Sequence, residues 1–448
     1  MRIRGNWLHR RWQHGILALF LVLGIVASPK PALAGSSQLE SDASHASAQT
    51  AQVYHLPPAK LEQAIALSRS RLMVHFGEEF WQLAFLALLL ASGAASRLGE
   101  WAAAKSQRRW LQGAVFSAIL AALVFLAVDT PAGAVSHALS RHYGISIESW
   151  GSWLLDEAKL LGLTLVVEIP LLMLVLWLTR WSPRRYWLWF ASAAVPIMLL
   201  GTFLLPPLVE PLFYKFEPLA QSHPALAQQL ERVVTRTGTD IPPERMFLMK
   251  ASEKSNGLNA YVSGIGASKR IVVWDTTADR MPTDEILFTF AHETGHYVLN
   301  HIPKGLTLAA IGMFALFWLV AKVAEWLARR FGERWRVPAV ATLPGLVVLL
   351  LALSAWQIVT EPVESTISRH FEHEADVYGQ EAIHGLVPNP QKTAVAAFND
   401  LGAVYLDDPN PNPVLEFWSY DHPSIQNRAT FAAHYDPWTP GQKPRFFK

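Results

Sequence analysis

Apolar and polar positions along this chain come in blocks rather than in the interleaved pattern of a soluble protein. Six apolar runs lie near residues 80–95, 111–128, 158–178, 187–207, 304–324 and 338–358; one long polar stretch, 208–303, separates the fourth from the fifth and another, 359–448, follows the sixth. Most runs reach the ~20 residues that an α-helix needs to cross the hydrocarbon core of a bilayer; the one beginning at Phe80 is the shortest. Several are apolar on every face, which a one-sided surface helix is not, so the pattern predicts a predominantly α-helical, polytopic membrane protein. A further apolar segment, Ile16–Ser28, follows Arg2, Arg4, Arg10 and Arg11 and precedes Ala32-Leu33-Ala34. That is the layout of an export signal over residues 1–34, either cleaved or kept as an anchor, and it brings the expected count to about seven spans.

The short loops set an orientation. Arg97, Lys105, Arg108 and Arg109, then Arg180, Arg184 and Arg185, then Arg329, Arg330, Arg334 and Arg336 fall in alternate loops, hence on one side. The positive-inside rule makes that side the cytoplasm. The two long polar stretches then face the opposite, extracytoplasmic side. Two spans separate them, so they share a side whichever side it is, and residues from both can meet.

The first polar stretch contains "RMFLMKAS", "NAYVSGIG" and "RIVVWDTT", short pieces rich in β-branched and aromatic residues that predict a small sheet. Gly264-Ile265-Gly266 reads as a turn, since no Gly-Lys-Ser/Thr follows to make a phosphate loop. Thr283-Asp284-Glu285 predicts a helix start with a capping hydroxyl, and the helix carries "FTFAHETGHYVLNH", Phe288–His301. On it His292 and His296 are four residues apart and point the same way, able to share one ion. Glu293 projects about 100° away, towards a water beside the ion rather than the ion itself. The bland alternative is a helix with two polar histidines.

Composition narrows the chemistry. Among 448 residues 51% are hydrophobic and 17% charged, the formal net charge is +2, and there is no cysteine. The charge gives no nucleic-acid footprint. Any metal must be held by His, Asp or Glu. Catalysis by zinc needs a third protein ligand. The best donor segment is "SRHFEHEADVYGQEAI", Ser368–Ile383. There Glu372 as ligand and Asp376 as the acceptor orienting a ligand histidine share a helix face, while His370, His373 and Glu374 are rival ligands and a solvated helix face is the plain reading.

These motifs together resemble the membrane zinc endopeptidases typified by the type I CAAX prenyl protease, the sterile-mutant a-factor converting enzyme. The family pattern Ser-Arg-x-x-Glu-x-x-Ala-Asp falls on Ser368, Arg369, Glu372, Ala375 and Asp376. "RHYGIS" (141–146), "PLFYKFEPL" (211–219), "NAYVSGIGASKRIVVWDT" (259–276) and "DHPSIQNR" (421–428) are similar to further family blocks, over roughly residues 60–430. The resemblance implies a zincin-like HExxH domain, one Zn²⁺ per chain on His292, His296 and Glu372, and Glu293 as general base. His422 and Arg428 become candidates for the oxyanion or a substrate carboxylate. Asn259, Ala260 and Tyr261 become an edge strand that binds an extended peptide.

The expected division is a signal or anchor (1–34), a linker or helix (35–78), an N-terminal membrane region (79–207), a first protease segment (208–303), two spans (304–358), a second protease segment (359–435) and a loose tail (436–448). The expected partners are a peptide or protein substrate and the lipid bilayer, with no nucleic acid. The resemblance adds prenylated substrates; the signal and orientation point instead to a bacterial inner membrane, where such substrates are not routine. A quality-control protease with the same site, a non-catalytic metal-binding scaffold and a transporter are the rival functions. Glu168, mid-span, either lines a hydrated chamber or packs beside Pro170.

Overall fold

The computed structural model describes residues 53–447 except Ile265; the expected signal at 1–34 lies outside them. Among the described residues six helices are long and apolar enough to cross a membrane: α1 (Pro58–Ala91), α3 (Arg109–His142), α4 (Trp150–Trp181), α5 (Tyr186–Leu212), α8 (His301–Trp335) and α9 (Leu343–Ala382). A short α2 (Ala94–Ala104) joins the first two. Val166, Leu200 and Ile311 are each more than half exposed on these helices, as lipid-facing positions must be. Their inner faces pack into one apolar core, in which Phe190 meets Phe317 edge to face at 4.8 Å.

The helices outrun the apolar runs. α1 starts at Pro58, well ahead of the boundary expected at 78/79, because no proline follows Pro58 before Ala91 and Gly77 is the one glycine in that stretch. α9 has 40 residues, roughly 60 Å at 1.5 Å rise, about twice the hydrocarbon thickness. Its first half spans and its second half carries the "SRHFEHEAD" segment. The switch from apolar to polar sequence marks a change of surroundings and does not end the helix.

The three arginine-rich loops meet at one end of the bundle. Ser96 Oγ donates to the carbonyl oxygens of Trp335 and Arg336, and Arg180 Nε donates to that of Ala341. Trp101, Trp110, Trp177, Trp181, Trp189 and Trp326 are exposed near this end, as in an interfacial aromatic belt.

At the other end the two polar stretches form one domain. Its sheet has the order β1-β2-β4-β3, with β1 (Phe216–Pro218), β2 (Met246–Met249), β3 (Ala260–Ser263) and β4 (Arg270–Trp274). β2 and β4 are parallel, with Leu248 opposite Val273, and the other pairs are antiparallel. β1 was not expected; three residues are too short a run to read. β4 alternates as a strand with two covered faces does: Ile271 and Val273 join the main core, while Val272 and Trp274 pack with Met249 and Ala251.

Behind the sheet lie α6 (Pro224–Thr237), α7 (Thr283–Val298), α10 (Pro390–Tyr405) and α12 (Ile425–His434), while α11 (Pro413–Ser419) packs on α9. α7 is buried from Glu285 through Gly295. Its Phe288 meets Phe398 of α10 edge to face at 5.3 Å. Thr283 is the first helical residue rather than the cap; Pro282 takes that position with no side-chain cap bond. The tail, expected to be loose, is held: main-chain N–H groups of Arg445, Phe446 and Phe447 donate to the Glu381 carboxylate at 2.6, 2.7 and 3.0 Å.

Candidate metal centre

α7 and α9 cross in contact at two glycines. A Cβ on Gly295 would meet Tyr378 at 3.0 Å, and one on Gly379 would stand 2.9 Å from the main-chain nitrogen of His292. Only glycine permits this approach, and it brings the carboxylates of α9 onto the histidines of α7. His292 Nε2 lies 3.3 Å from His296 Nε2 and 3.3 Å from Glu372 Oε2, and His296 Nε2 lies 3.5 Å from Glu372 Oε1. Ligand bonds of ~2.0–2.1 Å in a tetrahedral zinc site put donor atoms about 3.3 Å apart. The two Glu372 oxygens each face one imidazole, one donor atom from each residue lies within 4.8 Å of the others, and two imidazoles with one carboxylate form the donor set of a catalytic site. Burial holds His296 well below the ordinary imidazole pKa, which keeps it neutral as a ligand must be.

Glu293 sits next to His292, 8% exposed. Asp376 Oδ1 lies 2.8 Å from His292 Nδ1. Arg428, 3% exposed, donates to Asp376 from Nε at 2.8 Å and from Nη2 at 2.6 Å. Burial works against the guanidinium charge, but Asp376 more than offsets it. Arg428, expected as a substrate contact, turns its fork onto Asp376, and its Nη2 also lies 3.6 Å from Glu372 Oε2. His422 Nε2 lies 3.2 Å from Glu372 Oε2 and its Nδ1 lies 3.0 Å from Asp421 Oδ1.

The rival ligands are occupied elsewhere. His370 is 61% exposed, the His373 ring abuts Phe431 at 4.6 Å, and Glu374 faces His301. β3 is an edge strand, but the main chain of Asn259 is committed: its N–H donates to Thr277 Oγ1, and its carbonyl accepts from Trp274 N and Thr277 Oγ1. The Tyr261 hydroxyl donates to Glu210, and the Ala260 side chain is buried. Glu168 is half-buried on α4.

Sequence reasoning gave no role to Arg369, whose Nη1 donates to the carbonyls of Glu416 and Tyr420 and so fixes the segment that leads to His422. It also passed over Gly379 and His301. A glycine in a charged helix next to a candidate ligand set was the available signal for the first. One other group among the described residues, His75, Glu79 and Glu361, has metal-ligand types. Its spacings of 2.7 and 3.8 Å fit a hydrogen-bonded histidine–carboxylate cluster rather than one ion.

Fold and site together define a membrane-embedded metallopeptidase. Residues 220–436 match the model of peptidase family M48, and residues 43–215 match that of the CAAX prenyl protease N-terminal region with five membrane helices. The chain is 31% identical to the uncharacterized metalloprotease YhfN of Bacillus subtilis over 79% of this chain and 80% of that one. It is 27% identical to CAAX prenyl protease 1 of Saccharomyces cerevisiae over 71% of each. The crystal structure of S. mikatae Ste24p shares the fold, with a TM-score of 0.71 at 20% identity over 96% of this chain and 98% of that one. The chain belongs to peptidase family M48: it is an integral, multi-pass membrane metalloendopeptidase that acts on a peptide or protein substrate with a metal cofactor.

Proposed function

We propose that the metal is Zn²⁺, held by His292, His296 and Glu372, and that the enzyme cleaves peptides presented at the extracytoplasmic surface of a bacterial inner membrane. The observation that carries this reading is the cluster of His292 Nε2, His296 Nε2 and the two Glu372 oxygens at 3.3, 3.3 and 3.5 Å with Glu293 beside it. When bound, Zn²⁺ supplies a Lewis acid that polarises the scissile carbonyl and lowers the pKa of water towards ~7. Glu293 takes the proton of the attacking water on its carboxylate and passes it to the leaving amine. His422, against Glu372, donates to the oxyanion that develops on the carbonyl. Asp376, held by Arg428, keeps the His292 ring in its ligand tautomer.

An extended substrate adds to the free edge of β3 through the main chain of Ala260, since Asn259 and Tyr261 on either side pair inward with β4, and the Asn259 side chain lies alongside; Asn259 Oδ1 is buried with no hydrogen-bond partner among the described residues. The relatives named CAAX prenyl protease make a prenylated CAAX peptide the first substrate to try. Glu293→Gln tests the core of the proposal. It should abolish cleavage while bound zinc stays near one per chain, and a purified variant that still turns over removes Glu293 as the base. Comparing a prenylated peptide with an unfolded membrane protein then decides the substrate class.

A further inference from the structure

The two site imidazoles are backed differently. His292 meets a carboxylate directly through Nδ1. His296 instead faces a third imidazole: its Nδ1 lies 3.1 Å from Nδ1 of His301. His301 Nε2 lies 3.2 Å from Glu374 Oε2, and Glu374 Oε1 accepts from Arg445 Nη2 in the C-terminal tail. The His301 side chain is only 2% exposed and its ring stacks on Phe371 at 4.4 Å.

The protons along this chain can be assigned from its far end. Arg445 can only donate, so Glu374 is a carboxylate that accepts. Glu374 also accepts from His301, which places the His301 proton on Nε2. A neutral imidazole protonated there has a bare Nδ1, which accepts. The donor across 3.1 Å is then His296 Nδ1–H. That tautomer leaves the lone pair of His296 on Nε2, the atom that faces His292 Nε2 and Glu372 Oε1. Every hydrogen bond runs in the direction that metal binding needs.

The geometry points to a positioning relay, His301–Glu374–Arg445, that fixes His296 as an Nε2 ligand and makes the C-terminal tail part of the metal centre. The inference rests on the zinc reading above and deepens it. α9 serves both purposes through two stripes. Glu372, Asp376 and Gly379 face α7, Glu374 and Glu381 take the tail, and Tyr378 touches both Gly295 of α7 and the tail phenylalanines. Phe446 and Phe447 lie 5.6 and 5.0 Å from the Tyr378 ring, and the Arg236 guanidinium lies 5.3 Å from the Phe447 ring. These contacts, with the three N–H bonds to Glu381, hold Arg445 over Glu374.

The test uses the purified full-length protein, with the Zn²⁺ Kd read by chelator competition and the ligand field read from the absorption of the Co²⁺-loaded form. His301→Phe keeps a ring against Phe371 but removes both nitrogens. His301→Gln offers an oxygen to His296 and an amide N–H to Glu374. The relay predicts a Kd raised about 10–100-fold and a shifted Co²⁺ spectrum in His301→Phe, with most of both restored in His301→Gln. Arg445→Met, at a side chain 51% exposed, should weaken Zn²⁺ binding several-fold. A His301→Phe protein with the parent's Kd and spectrum overturns the relay, as does equal loss in the Phe and Gln variants. Should His301→Phe fail to fold, Arg445→Met decides: unchanged affinity overturns the relay and weakened affinity supports it. A parent that binds no Zn²⁺ removes the metal reading as well; a parent that binds it normally while the variants match it removes only the relay.

Discussion

A Cβ on Gly379 would stand 2.9 Å from the main-chain nitrogen of His292, and the reach of both α9 carboxylates depends on that contact. Glu372 and Asp376 precede Gly379 by seven and three residues on one rigid helix. Gly379→Ala must push α9 away from α7. The expected result is a loss of about 1–3 kcal/mol in stability together with weaker zinc binding. Thermal unfolding and a zinc titration check it, and an alanine variant that matches the parent in both would refute the close-contact account.

Arg428 and Asp376 form a buried, two-bond pair. Removing one partner leaves an uncompensated buried charge, at a cost of about 3–5 kcal/mol. Arg428→Met should therefore destabilise strongly, and Arg428→Met with Asp376→Asn should recover part of the loss. The double variant should still bind zinc less well, because His292 Nδ1 loses its carboxylate. Denaturant unfolding of the four proteins in the cycle measures the coupling.

Glu285 gives a pH signature away from the metal. Burial, with Asp400 adding to it, pushes this carboxyl up to about 8. Between its ordinary value near 4.5 and about 8 the folded state holds a proton that the unfolded state has released. Stability should therefore fall as pH rises through that window. Glu285→Gln has no proton to lose there, so its melting temperature should gain on the parent's from pH 5 to pH 8. A constant difference across the range would show that Glu285 titrates normally.

The meeting of the basic loops at one end predicts a single sidedness for the opposite end. A reporter fused after Lys448 and one inserted in the loop between α6 and β2 should report the same compartment, and the positive-inside rule makes it the extracytoplasmic one. Reporters in opposite compartments would break the two-span parity between α7 and the ligand segment of α9.

The local parts of this protein were legible because they follow from short-range periodicity. An i, i+4 histidine pair shares a face in any helix, and a run of ~20 apolar residues leaves few alternatives to a membrane span. The third donor was less so. Spacing alone left Glu372, His370, His373 and Glu374 open, since each falls on some face of one helix; the family pattern points to Glu372, and the way α9 leans on α7 sets Glu372 beside the imidazoles and the others elsewhere. Arg428 is a related case: position in the sequence puts it near the metal, but the direction of its fork is set by Asp376.

The sequence by itself determined that the chain crosses the membrane repeatedly, that its two polar stretches share a side, and that α7 carries two imidazoles and a carboxylate in a fixed local order. Those are consequences of helix pitch and of bilayer thickness. Only the tertiary structure decided how closely the Glu372 carboxylate approaches the two imidazoles, what backs each imidazole, and that the tail reaches Glu374. Such contacts depend on how closely two helices approach, and here two glycines far apart in the chain set that distance.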